Sequence, residues 1–218
     1  MSNNTKMPDG LLPLFPLEAV LFPHTPLPLH IFEDRYKEMI GECLELEKEF
    51  GVVLARGQGV VRTGCTAKVV DVLRRHEDGE LDILTVGRQR FQLKEIHSRR
   101  TFLEGEVEFF DDIDFSPTPL ETVRAAATTH EALLRLSGST VTPPKLDHPE
   151  LSFQLARIAT DLNFRQVLLE MRSESERIAH VAAHLEQLLR QRAVGSAMKK
   201  VAPSNGHGKH LSQLTDPE

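Results

Sequence analysis

The sequence predicts an α+β protein, a mostly antiparallel β-barrel with one helix followed by a small C-terminal α-helical bundle. Strand-length segments rich in Val, Ile, Leu and Phe fill residues 52–110, whereas apolar residues recur at helical spacing from residue 120 onwards. Between these patterns lies DDIDFSPTP at 111–119, a polar segment with two prolines. We therefore expect a barrel over 11–112 and a bundle over 113–193.

The first ordered segment is rich in proline. Residues 11–32 read LLPLFPLEAVLFPHTPLPLHIF, with prolines at 13, 16, 23, 26 and 28. Each proline lacks a backbone donor, so we expect short extended pieces at sheet edges or across a barrel, not a central strand or a helix interior. Residues 1–10 are polar and are expected to be a flexible leader.

The first helix is predicted at 33–48. Its apolar residues follow the i, i+3, i+4, i+7, i+8 spacing of one buried stripe, namely Tyr36, Met39, Ile40, Cys43 and Leu44. Carboxylates in the first turn, from Glu33 and Asp34, favour the positive end of the helix dipole.

The β-rich part contains five strand-length segments: GVVLAR, AKVVDVLRR, ELDILTVGRQR, FQLKEIHSRR and FLEGEVEFF. Turn residues separate several of them, including Gly57, Gly59 and Gly64. The pair Asp78-Gly79 is the strongest hairpin signal in the chain. These segments predict a sheet that is closed, or nearly closed, on itself.

The C-terminal part has helical periodicity over 120–136, over 150–162 and in a short segment from Phe164 to Met171. Ser173 and Glu176 form a capping-box pattern before a last helix. Residues 194–218 have little apolar content and are expected to be a disordered tail.

Composition narrows the class of protein. The net charge of −6 and the absence of a basic segment argue against a dedicated nucleic-acid surface. Cys43 and Cys65 are the only cysteines, and we expect buried or partly buried thiols in a reducing compartment, although a disulfide stays open. The N-terminus lacks an apolar signal-peptide core, and no apolar run reaches the roughly 18 residues that cross a bilayer. We expect a cytoplasmic protein without a membrane partner.

No set of residues predicts catalysis, a metal site or a cofactor. His180 and His184 have i, i+4 spacing, but Val181 stands where the zinc-protease motif needs Glu, so a solvated or half-buried helix face is favoured. The chain contains neither the Gly-x-Ser-x-Gly elbow of hydrolases nor the phosphate-binding motif of ATPases.

Three arginine clusters keep an RNA- or nucleotide-binding function open as the alternative: Arg74-Arg75, Arg88 with Arg90, and Arg99-Arg100. Phe91 is the only aromatic residue beside them, whereas single-strand binding usually needs several stacking platforms. We therefore expect solvated arginines paired with nearby carboxylates, those of Glu77, Asp78, Glu80 and Glu95.

The opening segment carries a family resemblance. Residues 12–40 contain, in order, LPLFPL, LFP, PLHIFE and RY, and they resemble the start of the N-terminal substrate-binding domain of Lon proteases. GCTAKVVDV (64–72) is similar to the family's Gly-Thr-x-Ala-x-Ile strand, and TVGRQRFQLKEI (85–96) to its Gly-x-x-Arg-Phe strand pair. The resemblance covers roughly 11–192 and implies a PUA-like barrel followed by helices.

The resemblance also implies a function. We expect a non-catalytic polypeptide-binding module, an adaptor or holdase for exposed apolar or unfolded segments, without the ATPase and Ser-Lys peptidase regions of Lon. The expected partners are unfolded or degron-bearing polypeptides and a separate protease or chaperone.

The proline-rich segment is the candidate binding site, because prolines leave carbonyls and apolar surface outside a strand ladder. We expect a groove between barrel and bundle lined by Phe15, Phe22, Phe32, Arg35 and Tyr36. The plainer alternative is that Leu14, Phe15, Leu17 and Phe22 fill the barrel core.

Overall fold

The computed structural model describes residues 11–139 and 142–201 and contains six strands and five helices within them. In chain order they are β1 (Leu12–Leu17), β2 (Pro26–Ile31), α1 (Asp34–Glu45), β3 (Phe50–Arg56), β4 (Gly59–Arg75), β5 (Leu81–His97), β6 (Leu103–Phe109), α2 (Leu120–Leu136), α3 (Leu151–Ala156), α4 (Leu162–Glu170) and α5 (Glu174–Val201). This order confirms the predicted α+β class.

The sheet closes on itself. Its strands lie in the order β2-β5-β4-β3-β1-β6, and β6 also pairs with β5. The C-terminal half of β5 takes part in the closure, whereas its N-terminal half pairs with β2 from Leu81 to Val86. All the pairings are antiparallel except that of β1 with β3. The predicted closed, mostly antiparallel sheet is therefore confirmed.

The two longest strands correct the predicted segmentation. Gly64 was expected in a turn, but it lies inside β4, which runs unbroken for 17 residues. A Cβ atom at Gly64 would meet Phe91 Cζ at 2.5 Å, so glycine here allows the Phe91 ring to pack against the strand. Register shifts along β4 and β5 bend these strands around the barrel. The predicted hairpin is present, with Gly79 at a φ of 82°.

β1 also differs from the expectation that the proline-rich segment avoids central positions. It has β6 on one side at Leu12–Leu14 and β3 on the other at Leu14–Leu17. The two ladders overlap only at Leu14, so Pro13 and Pro16 each lie where β1 has a single neighbour. A missing N–H can then face the unpaired side. β2 is an edge strand, as expected.

The buried apolar residues form two clusters, one inside the barrel around Leu14 and Phe91 and a larger one that the barrel shares with the helices. Phe22, in the loop after β1, stacks on Phe153 of α3 with ring centroids 4.9 Å apart, and both side chains are fully buried. The same core includes the predicted stripe of α1 and reaches Leu185 on α5. Burial of this continuous apolar surface is the main force that holds the helices on the barrel.

The C-terminal helix is longer than predicted. Ser173 Oγ accepts a hydrogen bond from the backbone N–H of Glu176 at 3.3 Å, as the capping pattern predicts. The helix then continues to Val201, past the predicted boundary at residue 193. Ala, Met and Lys in this stretch are good helix formers, and they extend the helix despite Gly195. The rest of the expected tail and the expected leader lie outside the described residues.

Cys43 and Cys65 are both buried free thiols, which settles the open question of a disulfide. Within the described ranges, no helix has the length and apolar character to cross a membrane.

Candidate functional site

A surface pocket of about 310 Å³ lies where β1, the end of β2 and the start of α1 meet. Its volume is near the lower end of the range typical of small-ligand pockets, roughly 300–1,000 Å³. The pocket is lined by Phe15, Pro16, Leu17, Leu29, His30, Ile31, Phe32, Glu33, Arg35 and Tyr36. Four of the five predicted site residues therefore lie together.

The floor of the pocket is aromatic. The rings of Phe15 and Tyr36 lie 4.1 Å apart between centroids, and Phe15 also contacts Phe50 at 6.0 Å. Strand alternation turns Phe15 away from the barrel interior, where Leu14 packs. Tyr36 is the first residue of the buried α1 stripe. Both rings are held by the core while their edges line the pocket.

One edge of the pocket is polar. The Arg35 guanidinium lies 4.5 Å from the centre of the Tyr36 ring, and its Nη2 lies 2.6 Å from Glu33 Oε2. Burial raises the pKa of the Tyr36 phenol, against the opposing charge of Arg35. Tyr36 is therefore a neutral hydroxyl at physiological pH, and Arg35 offers a cation that one carboxylate partly neutralises.

Phe32 is the most exposed part of this site. It follows the last residue of β2, and 56% of its surface is accessible to solvent. Its ring stacks at 5.9 Å on the His30 imidazole. A large exposed aromatic side chain beside a pocket is unfavourable in water, and it is a common feature of binding surfaces.

Phe22, the fifth predicted site residue, lies elsewhere. Its ring is fully buried between Phe153 and the Arg165 guanidinium, at 4.9 and 4.8 Å. Phe22 is therefore buried, as the plainer alternative expected, but it packs against the helices and not inside the barrel. Alternation along the segment could not reveal this, because the partner ring of Phe153 is distant in sequence.

The pocket around Phe15, Phe32 and Tyr36 differs from the predicted groove, because its lining residues come from β1, β2 and α1 and not from the bundle. Part of the junction between barrel and bundle is occupied by a buried ionic network. Arg177 of α5 donates two hydrogen bonds to Asp112, each 2.6 Å long, and Arg90 of β5 donates a third of 2.6 Å. Arg90 also donates to the carbonyl of Met171 at 2.5 Å. Burial tends to raise the pKa of Asp112, but hydrogen bonds and charges of the two arginines hold it below its usual value.

Local sequence patterns did not predict this network. Arg90 was assigned to a solvated arginine cluster, whereas only 4% of its side chain is exposed. The one available signal was its place in the Gly-x-x-Arg-Phe motif, where Gly87 and Phe91 are also tightly packed.

Two arginines of the remaining clusters, Arg88 and Arg100, lie beside carboxylates. Arg100 binds Glu38 and Glu42 of α1, and Arg88 lies 3.8 Å from Glu49. These carboxylates differ from the predicted ones, since Glu38 and Glu42 belong to α1 and Glu49 precedes β3. Neutralised arginines do not favour the nucleic-acid alternative.

The helical histidine pair is a packing feature. His184 stacks on Phe164 with centroids 3.8 Å apart, and its Nε2 atom is buried. His180 is exposed to solvent. The two imidazoles therefore have different environments, as expected for a half-buried helix face.

The structure is that of an α+β protein with a closed sheet, helices packed on it and an aromatic surface pocket. The family model for the ATP-dependent protease La (LON) substrate-binding domain matches residues 11–187. The chain belongs to this family.

The relatives agree with this assignment. The chain is 26% identical over 187 residues to a Lon protease of Parabacteroides distasonis, a match that covers 82% of this chain and 21% of that protein. It is 27% identical over 195 residues to a Lon protease of Roseiflexus castenholzii, covering 81% and 24%. The chain thus spans between a fifth and a quarter of the curated relatives that it matches.

Solved structures show the same fold. A Lon N-terminal domain protein from Xanthomonas campestris is similar at a TM-score of 0.64 with 26% identity, covering 83% of this chain and 98% of that one. The N-terminal domain of a Mycobacterium avium complex Lon protease is similar at a TM-score of 0.60 with 15% identity, covering 81% and 98%.

Proposed function

We propose that this protein is a non-catalytic module that binds exposed apolar segments of other polypeptides, as an adaptor or holdase, through the pocket at Phe15, Phe32 and Tyr36. The observation that most directly supports this proposal is that Phe32 is 56% exposed beside a pocket with an aromatic floor. An apolar side chain of a client would bury Phe32 and cover the edges of Phe15 and Tyr36. Burial of that surface would supply the binding energy.

Unpaired strand edges favour an extended client. β1 pairs with β6 only up to Leu14, so beyond that residue its edge opposite β3 lacks a strand neighbour in the described part of the chain. β2 pairs only with β5 there. Residues of both strands line the pocket, and free backbone groups beside a pocket suit an extended peptide.

The polar edge of the pocket favours particular chemical groups at the end of the bound segment or beside it. Arg35 and the neutral Tyr36 hydroxyl can bind a carbonyl or a carboxylate, whereas Glu33 limits the net positive charge. We expect an apolar residue to be required and an adjacent acidic group to be tolerated.

The family assignment supports a role in protein quality control in the cytoplasm. The family description names a substrate-binding domain of an ATP-dependent protease, and Lon proteases are among the relatives. A separate protease or chaperone that receives the bound client is part of this proposal.

The test is a titration of a fluorescently labelled, permanently unfolded polypeptide with the purified protein, followed by anisotropy. The same polypeptide in its folded form is the control. We expect saturable binding of the unfolded form alone. Equal binding of both forms, or no binding of either, would contradict the proposal.

A further inference from the structure

A cluster of potential metal ligands lies beside the pocket, on the β4–β5 hairpin and the adjoining end of β2. His30 Nδ1 lies 2.7 Å from Asp82 Oδ1, and His76 Nε2 lies 2.8 Å from Asp82 Oδ2. One potential ligand atom from each of these three residues lies within 4.8 Å of the others. Two imidazoles therefore converge on one carboxylate.

The fold fixes this convergence. His30 and Asp82 are direct partners in the β2–β5 ladder, which places their side chains on the same face of the sheet. His76 is held by the hairpin, where its backbone N–H donates to the Glu80 carbonyl at 2.9 Å. The ligands thus belong to backbone that is already hydrogen-bonded, and little reorganisation is needed to bring them together.

A fourth group supports the cluster. His30 Nε2 lies 3.1 Å from Glu80 Oε2, so a carboxylate contacts the ring nitrogen that faces away from Asp82. In protein metal sites the second nitrogen of a ligating imidazole usually donates to such a carboxylate, which orients the ring. The hairpin also carries Glu77 and Asp78, whose negative charge favours a cation.

The chemistry of these donors indicates the class of ion. Two neutral imidazoles and one carboxylate suit Zn²⁺ and similar divalent transition metals, whereas Mg²⁺ and Ca²⁺ prefer oxygen ligands alone. The side chains of His30, His76 and Asp82 are 49%, 26% and 35% exposed, so an ion can enter and a water can complete its coordination.

We propose that His30 Nδ1, His76 Nε2 and the Asp82 carboxylate form a binding site for Zn²⁺ or a similar transition-metal ion, with Glu80 orienting His30. The site goes beyond polypeptide binding and does not depend on it. Since the His30 ring stacks on Phe32, the ion would also fix the rim of the pocket.

The test is calorimetric titration of the untagged full chain with ZnCl₂, alongside His30→Ala and His76→Ala. We expect one equivalent to bind the wild type, and each substitution to weaken that binding by at least about 10-fold. Zn²⁺ should raise the melting temperature of the wild type and leave that of each variant almost unchanged. MgCl₂ should cause neither effect.

The matched control is His97→Ala. His97 belongs to the other acidic and histidine cluster found in the described residues, with Glu95 and Glu106. We expect this variant to bind Zn²⁺ like the wild type. The proposal is overturned if the wild type binds no Zn²⁺, or if His30→Ala and His76→Ala bind it as the wild type does. Circular dichroism verifies that each variant is folded before titration.

Discussion

Arg177 and Asp112 form a two-pronged ion pair between α5 and the segment that follows the barrel, with both N–O distances at 2.6 Å. The Arg177 side chain is fully buried. Because Arg90 of β5 binds the same carboxylate, Asp112 joins the barrel to the last helix. The segment 111–119 is therefore held at its start by both the barrel and α5.

Removal of this carboxylate should be strongly destabilising. Asp112→Ala leaves two arginines buried beside one another, and we expect the free energy of unfolding to fall by about 3–5 kcal/mol. Urea denaturation measures the change. Asp111→Ala is the control, because Asp111 is exposed, and we expect an effect within about 0.5 kcal/mol. Equal effects of the two substitutions would contradict the role assigned to Asp112.

The same carboxylate predicts a loss of stability in acid. The pKa of Asp112 is lower in the folded chain than its unfolded value, which is about 3.9. The stabilisation of the folded state by ionised Asp112 is thus fully present above the unfolded pKa. It is lost as the pH falls through the folded pKa. The difference in the free energy of unfolding between wild type and Asp112→Asn should become smaller as the pH is lowered from about 6 to about 2. Urea denaturation at several pH values measures this difference. A difference that stays constant with pH would contradict the stabilising role of ionised Asp112.

A close backbone approach at Gly87 should make that position intolerant of a side chain. A Cβ atom there would lie 2.1 Å from the carbonyl oxygen of Phe22, which cannot move without displacing the core. We expect Gly87→Ala to lower the free energy of unfolding by at least about 2 kcal/mol. Gly59→Ala, where a Cβ meets no atom within 4 Å, should change it little. Thermal and urea unfolding of both variants measure these changes in the free energy of unfolding.

Both thiols should be unreactive in the folded protein. Burial raises the pKa of Cys43 to about 11 and also raises that of Cys65, so neither forms appreciable thiolate near neutral pH. Ellman's reagent should find no rapidly reacting thiol in the native protein and two in urea. A fast native reaction would show that one thiol is accessible.

Local patterns predicted the elements that depend on local chemistry. The stripe of α1, the bounds of α2 at Leu120–Leu136 and the hairpin at Asp78-Gly79 all agree with the structure. Periodicity and turn chemistry act within a few residues, so a single sequence reveals them.

Features set by distant partners were missed. From sequence alone Gly64 looks like a turn residue, but in the fold it packs against Phe91. Arg90 likewise looks like a solvated cation, but in the fold it binds Asp112 and the Met171 carbonyl. Four of the five candidate site residues line one pocket, because they lie close together in the chain or on elements that meet at the pocket. Phe22 was misassigned because Phe153 covers it.

The central claim is that the pocket beside Phe32 binds apolar polypeptide segments, and its most direct test compares two exposed phenylalanines. Phe32 is 56% exposed in the pocket lining, and Phe115 is 84% exposed in the segment 111–119, outside that lining. The measurement is the Kd for an unfolded polypeptide, by anisotropy, of wild type, Phe32→Ala and Phe115→Ala. We predict that Phe32→Ala weakens binding about 10-fold, or about 1.4 kcal/mol, while Phe115→Ala binds like the wild type. Unchanged binding by Phe32→Ala would contradict the claim.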